Sequence, residues 1–361
     1  MINNIITYNV GFGDCTLICG TSKCGTSKCG ASVKMLVDFG GDLLNIQNVA
    51  TNIIQQINSA KHKYLIISHF HKDHYNGLDL LVGKVVFDRI YIPNFINNNS
   101  LYILSAALYV KNTKIFSQAK DILTIISDLL NKGLVKKIDD IQLCKAGDEI
   151  INELEKFKCL LPKTNIICKR QITMDKIRKD FNIKSIVGAL NCNDYNISGY
   201  IKEIETIKKS SFDDKDFRYI KNIFKKIQNN YSIVFQNSRI NDNEKYHDSN
   251  KNILFCGDAL PKNINSVKSC LYDEYDVIKI PHHGTKKYFY KDFPCSKNFI
   301  ISNGKKNNNT KISLLYDTNY RQSQKFICSN KECELITKQC TCVSEKKNNA
   351  ICGFAFSYKI W

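Results

Sequence analysis

Apolar and polar positions alternate in ways that separate strands from helices along this chain. Ile5 to Val10 and Thr16 to Cys19 are β-rich. Val33 to Phe39 is an apolar run closed by Gly40-Gly41, so the first forty residues predict strands around a loop. Ile46, Val49, Ala50, Ile53, Ile54 and Ile57 recur at helical spacing, which predicts an amphipathic helix ending near Ala60. Tyr64 to Ser68 is a short apolar run without alternation, as expected of a strand buried on both faces. This strand–helix–strand order predicts an α/β layered core. Two further helical patterns occupy 101–133, and Ile150 to Leu161 reads as helix or strand ending at Pro162. Residues 164–228 are polar, Lys-rich and helical towards the end, and predict a helical insertion within a single catalytic domain spanning 1–361. Strand signals resume at Tyr231 to Phe235, Ile253 to Cys256, Val277 to Ile280 and Phe299 to Ile301, and Gly353 to Trp361 reads as a closing strand.

Composition narrows the class. Of 361 residues, 43% are hydrophobic and 24% charged, which is globular and excludes a disordered chain. Leu101 to Val110, the longest nearly unbroken apolar stretch, is about half the ~20 residues of a membrane span. The N-terminal residues have neither a basic segment nor a small-residue cleavage site, so a cytoplasmic location is expected. The sixteen cysteines are then expected to be reduced thiols. Fifty-two Lys+Arg against thirty-four Asp+Glu leave a net charge of +18, which favours anionic partners. The surplus is mostly lysine in an Asn- and Ile-rich chain, so it also fits a compositional bias of the coding genome.

Two cysteine clusters invite a metal reading. Cys19, Cys24 and Cys29 stand at period five in a perfect repeat. Zinc thiolates usually pair about two to four residues apart, so a flexible hairpin tip is the better reading. Cys328, Cys333, Cys340 and Cys342 are irregularly spaced, and incidental thiols are favoured over a zinc knuckle.

The strongest chemical signal is His69-Phe-His71-Lys-Asp73-His74, directly after the strand at 64–68. On an extended backbone His69 and His71 project together towards one metal; Asp73 and His74, displaced by a turn, reach a second beside it. Asp258 follows a strand and a tight Gly, where a carboxylate bridges two cations or caps a turn. His282 and His283 follow another strand. His62 and His247 have no such company and read as ordinary histidines.

Together these motifs resemble the metallo-β-lactamase fold superfamily, and more closely the soluble hydrolase domain of the DNA-uptake channel protein ComEC and its stand-alone relatives. The matching motifs are Val10-Gly-Phe-Gly-Asp14, Asp38-Phe-Gly40, the His69–His74 run and Asn229-Asn-Tyr-Ser232. Gly257-Asp-Ala259, Pro281-His-His-Gly-Thr285 and Ile301-Ser-Asn-Gly304 follow in the same order. The resemblance implies a four-layer αββα sandwich holding two Zn2+, with Mn2+ or a single metal as alternatives. It puts His69 and His71 on one metal, Asp73 and His74 on the other, and Asp258 between them. One of His282/His283 joins the second metal. His282, first past the strand, is preferred as ligand, and His283 as outer partner or proton donor; Asp73 and His283 are the candidate catalytic residues. Asp14, Asp38 and Asn230 are expected around the ligands, Asp38 orienting a ligand histidine.

The chain departs from the resemblance in two places. No further metal-binding His precedes Gly257-Asp258, and Lys305-Lys-Asn-Asn-Asn-Thr310 replaces the usual His-Pro, so 305–361 is a diverged C-terminal region. The expected activity is metal-dependent hydrolysis by a hydroxide that the metals supply, acting on phosphodiesters of nucleic acid or a nucleotide. The alternative is a hydrolase of a small ester, lactone or thioester.

Overall fold

The computed structural model describes residues 2–22, 31–94, 122–151, 156–163, 228–237, 251–303, 325–328 and 355–359. It is a mixed α/β protein built on two seven-stranded mixed sheets. The first contains β1 (Ile2–Tyr8), β2 (Asp14–Thr21), β3 (Ser32–Gly40), β4 (His62–Ile66), β5 (Arg89–Pro93) and β6 (Ile141–Cys144), with β14 (Ala355–Lys359) outside β1. Its strands β14, β1, β2 and β3 are antiparallel neighbours, and β3 to β6 run parallel.

The second sheet mirrors this plan. Strands β10 (Ile253–Phe255), β11 (Glu274–Lys279), β12 (Cys295–Ile301) and β13 (Lys325–Cys328) are parallel. β7 (Glu149–Ile151), β8 (Lys156–Leu161) and β9 (Val234–Asn237) continue from β10 in antiparallel order. The ambiguous run at 150–161 is therefore a strand hairpin, with Ile150 paired to Phe157.

The apolar strands are buried on both faces. Leu36 and Leu65 point to the outer core of the first sheet, while Met35, Val37, Tyr64 and Ile66 point inward. Inward they meet Phe157, Phe235, Ile253, Phe255 and Val277 of the second sheet. Successive side chains thus serve two cores, which is why these strands do not alternate in sequence.

On the outer face of the first sheet lies α1 (Leu43–Asn58), which buries Ile46, Val49, Ala50, Ile53 and Ile57 on one stripe as its spacing predicts. Full burial of each Ile or Val contributes about 1.5–3 kcal/mol. Beside it α3 (Ile122–Asn131) adds Ile125, Ile126 and Leu129, and between them in sequence α2 is a single turn, Lys72–Tyr75. Outside the second sheet, Leu254, Ile278 and Phe299 pack on Ile264 of the short α4 (Pro261–Asn265) and on Val267, Tyr290 and Phe293 from turns.

Among the described residues no helix is long and apolar enough to cross a membrane. The insertion expected at 164–228 lies outside them except for Gln228, as do His247, Leu101–Val110, Cys24, Cys29, Cys333, Cys340 and Cys342. Cys15, Cys19, Cys144, Cys159 and Cys256 are free and buried.

Candidate metal centre

Three chain segments meet where the parallel strands of both sheets end, the position where open α/β sheets place their ligands. β4 stops at Ile66, and His71, extended at φ −77°, ψ 144°, directly precedes the single turn α2. His71 thus lies on extended chain and His69 between β4 and that residue, with Asp73 and His74 on the helical turn. Gly40 makes this possible: a Cβ there would lie 2.5 Å from the backbone nitrogen of His74, so only glycine lets α2 sit against the end of β3.

Asp258 follows β10 through Gly257, at φ +48°, and its backbone N–H donates to Ser232 Oγ at 3.1 Å. His282 and His283 follow β11 in a left-handed turn, with φ of 46° and 57°. Asp38 has φ 57°, so all three non-glycine residues with positive φ among those described surround this cleft. Such backbone costs about 1–3 kcal/mol per residue and persists only where the surroundings enforce it. Here the carbonyl of Gly257 accepts the His282 N–H at 3.2 Å, and Asn303 Nδ2 donates to the His283 carbonyl at 2.8 Å.

The donor atoms converge. Asp258 Oδ2 is 3.4 Å from His69 Nε2, 3.5 Å from His74 Nε2 and 3.6 Å from His282 Nε2. His283 Nε2 is 3.3 Å from Asp73 Oδ2. Three donor groups lie within 4.8 Å internally: His69, His71 and Asp258; Asp73, His74 and His283; and Asp14, His74 and Asp258. His283 rather than His282, the expected ligand, falls with Asp73 and His74, while His282 faces Asp258. The left-handed turn brings His283 to Asp73 and His74, while His282 stacks flat on Tyr288 at 3.8 Å and has Nδ1 2.9 Å from Thr285 Oγ1.

Asp38 stands behind the histidines. Its Oδ2 is 2.9 Å from His74 Nδ1 and accepts the Ser68 hydroxyl at 2.7 Å, and its Oδ1 accepts the Ser68 N–H. Ser68 Oγ is in turn 3.1 Å from His69 Nδ1. Asp14 lies 3.9 Å from His283 Nδ1. Asn230 accepts from Asn263 Nδ2 at 3.3 Å; its neighbour Asn229 donates to the Tyr288 hydroxyl at 2.6 Å and so supports His282. Ser68 and Tyr288 were not singled out in the sequence. The position of Ser68, directly before the histidine run, was the only available signal.

The electrostatics fit a cationic occupant. Burial would raise the Asp258 carboxyl, but His282, His74 and His69 outweigh it and hold the group well below the usual carboxylate range. Burial likewise opposes ionisation of Asp73, yet the hydrogen bond from His283 keeps it ionised. Burial disfavours a proton on His74, but Asp258 and Asp38 raise its pKa well above the ordinary value. His283 is raised against its burial by Asp73, Asp258 and Asp14. His71 is pushed down to about 4 by burial and by neighbouring His69, and His282 is lowered by burial. Buried His74 Nε2 and Asp258 Oδ1 have no hydrogen-bond partner. A buried polar atom without one costs about 1–3 kcal/mol, unless something binds there. These groups could hold a metal ion. No protein-family model matches the chain, and no curated protein matches it significantly.

Proposed function

We propose that the chain is a metal-dependent hydrolase with the four-layer αββα metallo-β-lactamase architecture, cleaving phosphodiesters of nucleic acid or nucleotides. The observation that carries this reading is the convergence of buried His74 Nε2 and Asp258 Oδ1, both without hydrogen-bond partners, with His69, His71, Asp73 and His283. Imidazole with carboxylate is a donor set suited to zinc, with manganese as the harder alternative. His69, His71 and Asp258 would hold one ion, and Asp73, His74 and His283 a second, with Asp258 between them. A bound divalent ion supplies Lewis acidity and makes water nucleophilic at neutral pH.

The chain's own residues do the rest. Asp38 accepts the Nδ1–H of His74, and the Ser302 carbonyl, 2.8 Å away, accepts that of His283, so each ring turns its Nε2 rather than its Nδ1 towards the cleft. His282, the remaining imidazole, is placed to pass a proton from Nε2 to a leaving alkoxide. Burial lowers its pKa, so its protonated fraction grows as pH falls. Exposed Lys72, between His71 and Asp73, and exposed Lys286 and Lys287, just past the His282–His283 turn, favour an anionic phosphodiester over a neutral ester.

The test strips the purified protein of metal, reloads it with Zn2+ or Mn2+, and screens DNA, RNA, cyclic dinucleotides, lactones and thioesters. Metal-dependent phosphodiester cleavage is expected. Turnover of a lactone or thioester without any phosphodiester cleavage would overturn the substrate class.

A further inference from the structure

Lys279 is buried, 4% exposed, at the last residue of β11. Its Nζ lies 2.6 Å from Oδ1 of Asp14, which is also 4% exposed and opens β2. The pair joins the two sheets beneath the metal cleft. A small chamber there is lined by Asp14, Asp38, Ser68, Gly257 and Lys279 on its polar side. Asp14 is close enough to be a ligand itself, since a carboxylate oxygen lies within 4.8 Å of donor atoms of His74 and Asp258. Its Oδ2 is also 3.9 Å from His283 Nδ1. Four carboxylates, Asp14, Asp38, Asp73 and Asp258, therefore crowd one cleft, and the ammonium of Lys279 is bound to one of them.

We propose that Lys279 is a positioning residue that holds Asp14 out of the ligand set, so that no further carboxylate joins His74 and Asp258 at the metal. This rests on the metal-binding reading above. The consequence is metal choice. An added carboxylate would make the donor set richer in oxygen, and oxygen ligands favour Mn2+ relative to zinc, which imidazole suits. A buried cation on Asp14 opposes that change in two ways. It occupies the carboxylate, and it makes withdrawal of the carboxylate towards a metal leave an unpaired buried charge, a strongly unfavourable state.

The experiment measures Zn2+ and Mn2+ affinities, each metal alone, by calorimetry on the full metal-stripped chain. The variants are Lys279→Met, Lys279→Gln, Lys279→Arg and the double variant Lys279→Met/Asp14→Asn, each checked for folding by circular dichroism. In Lys279→Met and Lys279→Gln the Mn2+:Zn2+ affinity ratio should rise at least about tenfold, the scale on which partners beyond the ligands act. Lys279→Arg and the double variant should keep the wild-type ratio. An unchanged ratio in folded Lys279→Met or Lys279→Gln overturns the proposal. So does a shift that survives in the double variant. If neither single variant folds, the double variant decides, because a ratio differing from wild type contradicts the assignment. Wild-type protein that binds neither metal would instead overturn the metal-binding reading itself.

Discussion

In the group of Asp73, His74 and His283, both imidazoles are held from behind. Asp38 takes Nδ1 of His74 at 2.9 Å, the Ser302 carbonyl takes Nδ1 of His283 at 2.8 Å, and both rings are fully buried. In the group of His69, His71 and Asp258, His69 has Ser68 Oγ 3.1 Å from Nδ1, but the two rings also engage each other, His69 Nε2 lying 3.0 Å from His71 Nδ1. One of those nitrogens must donate to the other, so a metal entering there has to break the contact and shift the donor ring to its other tautomer. His71 is also the partly exposed member. The two groups meet at Asp258, yet only in one are both rings held from behind by a carboxylate or a carbonyl. An imidazole becomes a ready ligand when its far nitrogen is committed, and that commitment comes from residues outside the motif. The first metal ion bound should therefore sit with Asp73, His74 and His283.

Asp258 faces both groups, so its loss should be the most damaging change. Asp258→Asn should lower metal-dependent phosphodiester turnover by at least about 10³-fold, reflecting the several kcal/mol of charge stabilisation at stake. Steady-state rates on bis-p-nitrophenyl phosphate would check this, and a variant within tenfold of wild type would remove the shared carboxylate from the account.

Asp38→Asn separates the two groups. It should weaken the tighter class of metal binding by about 10–100-fold, because His74 loses the acceptor that fixes its tautomer. Competition with a chelating dye measures this directly. An effect confined to the weaker class would reverse the order of the groups.

Acidification should act mainly on the same group. In the metal-free protein His74 and His283 keep their protons above the ordinary histidine range, because Asp258, Asp38 and Asp73 favour the charged rings against burial. A metal must displace those protons, so affinity should rise with pH until both rings titrate. The slope should approach about tenfold per pH unit for each proton displaced. His71, already pushed down to about 4, adds no such proton near neutrality. Calorimetry in buffers of different ionisation enthalpy would count the protons released, and zero release at pH 7 would contradict the assignment. The smallest effect is expected from His71→Ala, which should leave the tighter class of binding within a few-fold of wild type by the same dye competition.

The parts of this arrangement that were legible in sequence are local ones. His69 to His74 are consecutive, and a strand running into a turn is enough to divide them between two positions. The stripe of α1 and the strands at 33–39 and 64–68 were legible because each carries its own periodicity or unbroken apolar run. What was not legible depends on backbone handedness or on the opposite sheet. The order of His282 and His283 follows from two left-handed residues, which no propensity announces in a Pro-His-His-Gly run. Asn229 supports His282 through Tyr288, and Asn230 accepts from Asn263, partners that only the fold brings near. Nothing in the run at 277–280 marks Lys279 as buried; Asp14, 265 positions earlier, meets it from the other sheet. The short β13 has no distinguishing pattern and is defined by its pairing with β12.

The most direct test of the metal-centre assignment is anomalous diffraction from crystals grown with limiting Zn2+. The account predicts a dominant anomalous peak in the cleft, with coordinating atoms of Asp73, His74 and His283 about 2.0–2.2 Å away. A dominant peak on His69 and His71 would contradict the order of the two groups. A protein that takes up zinc only outside this cleft would contradict the assignment of a metal centre altogether.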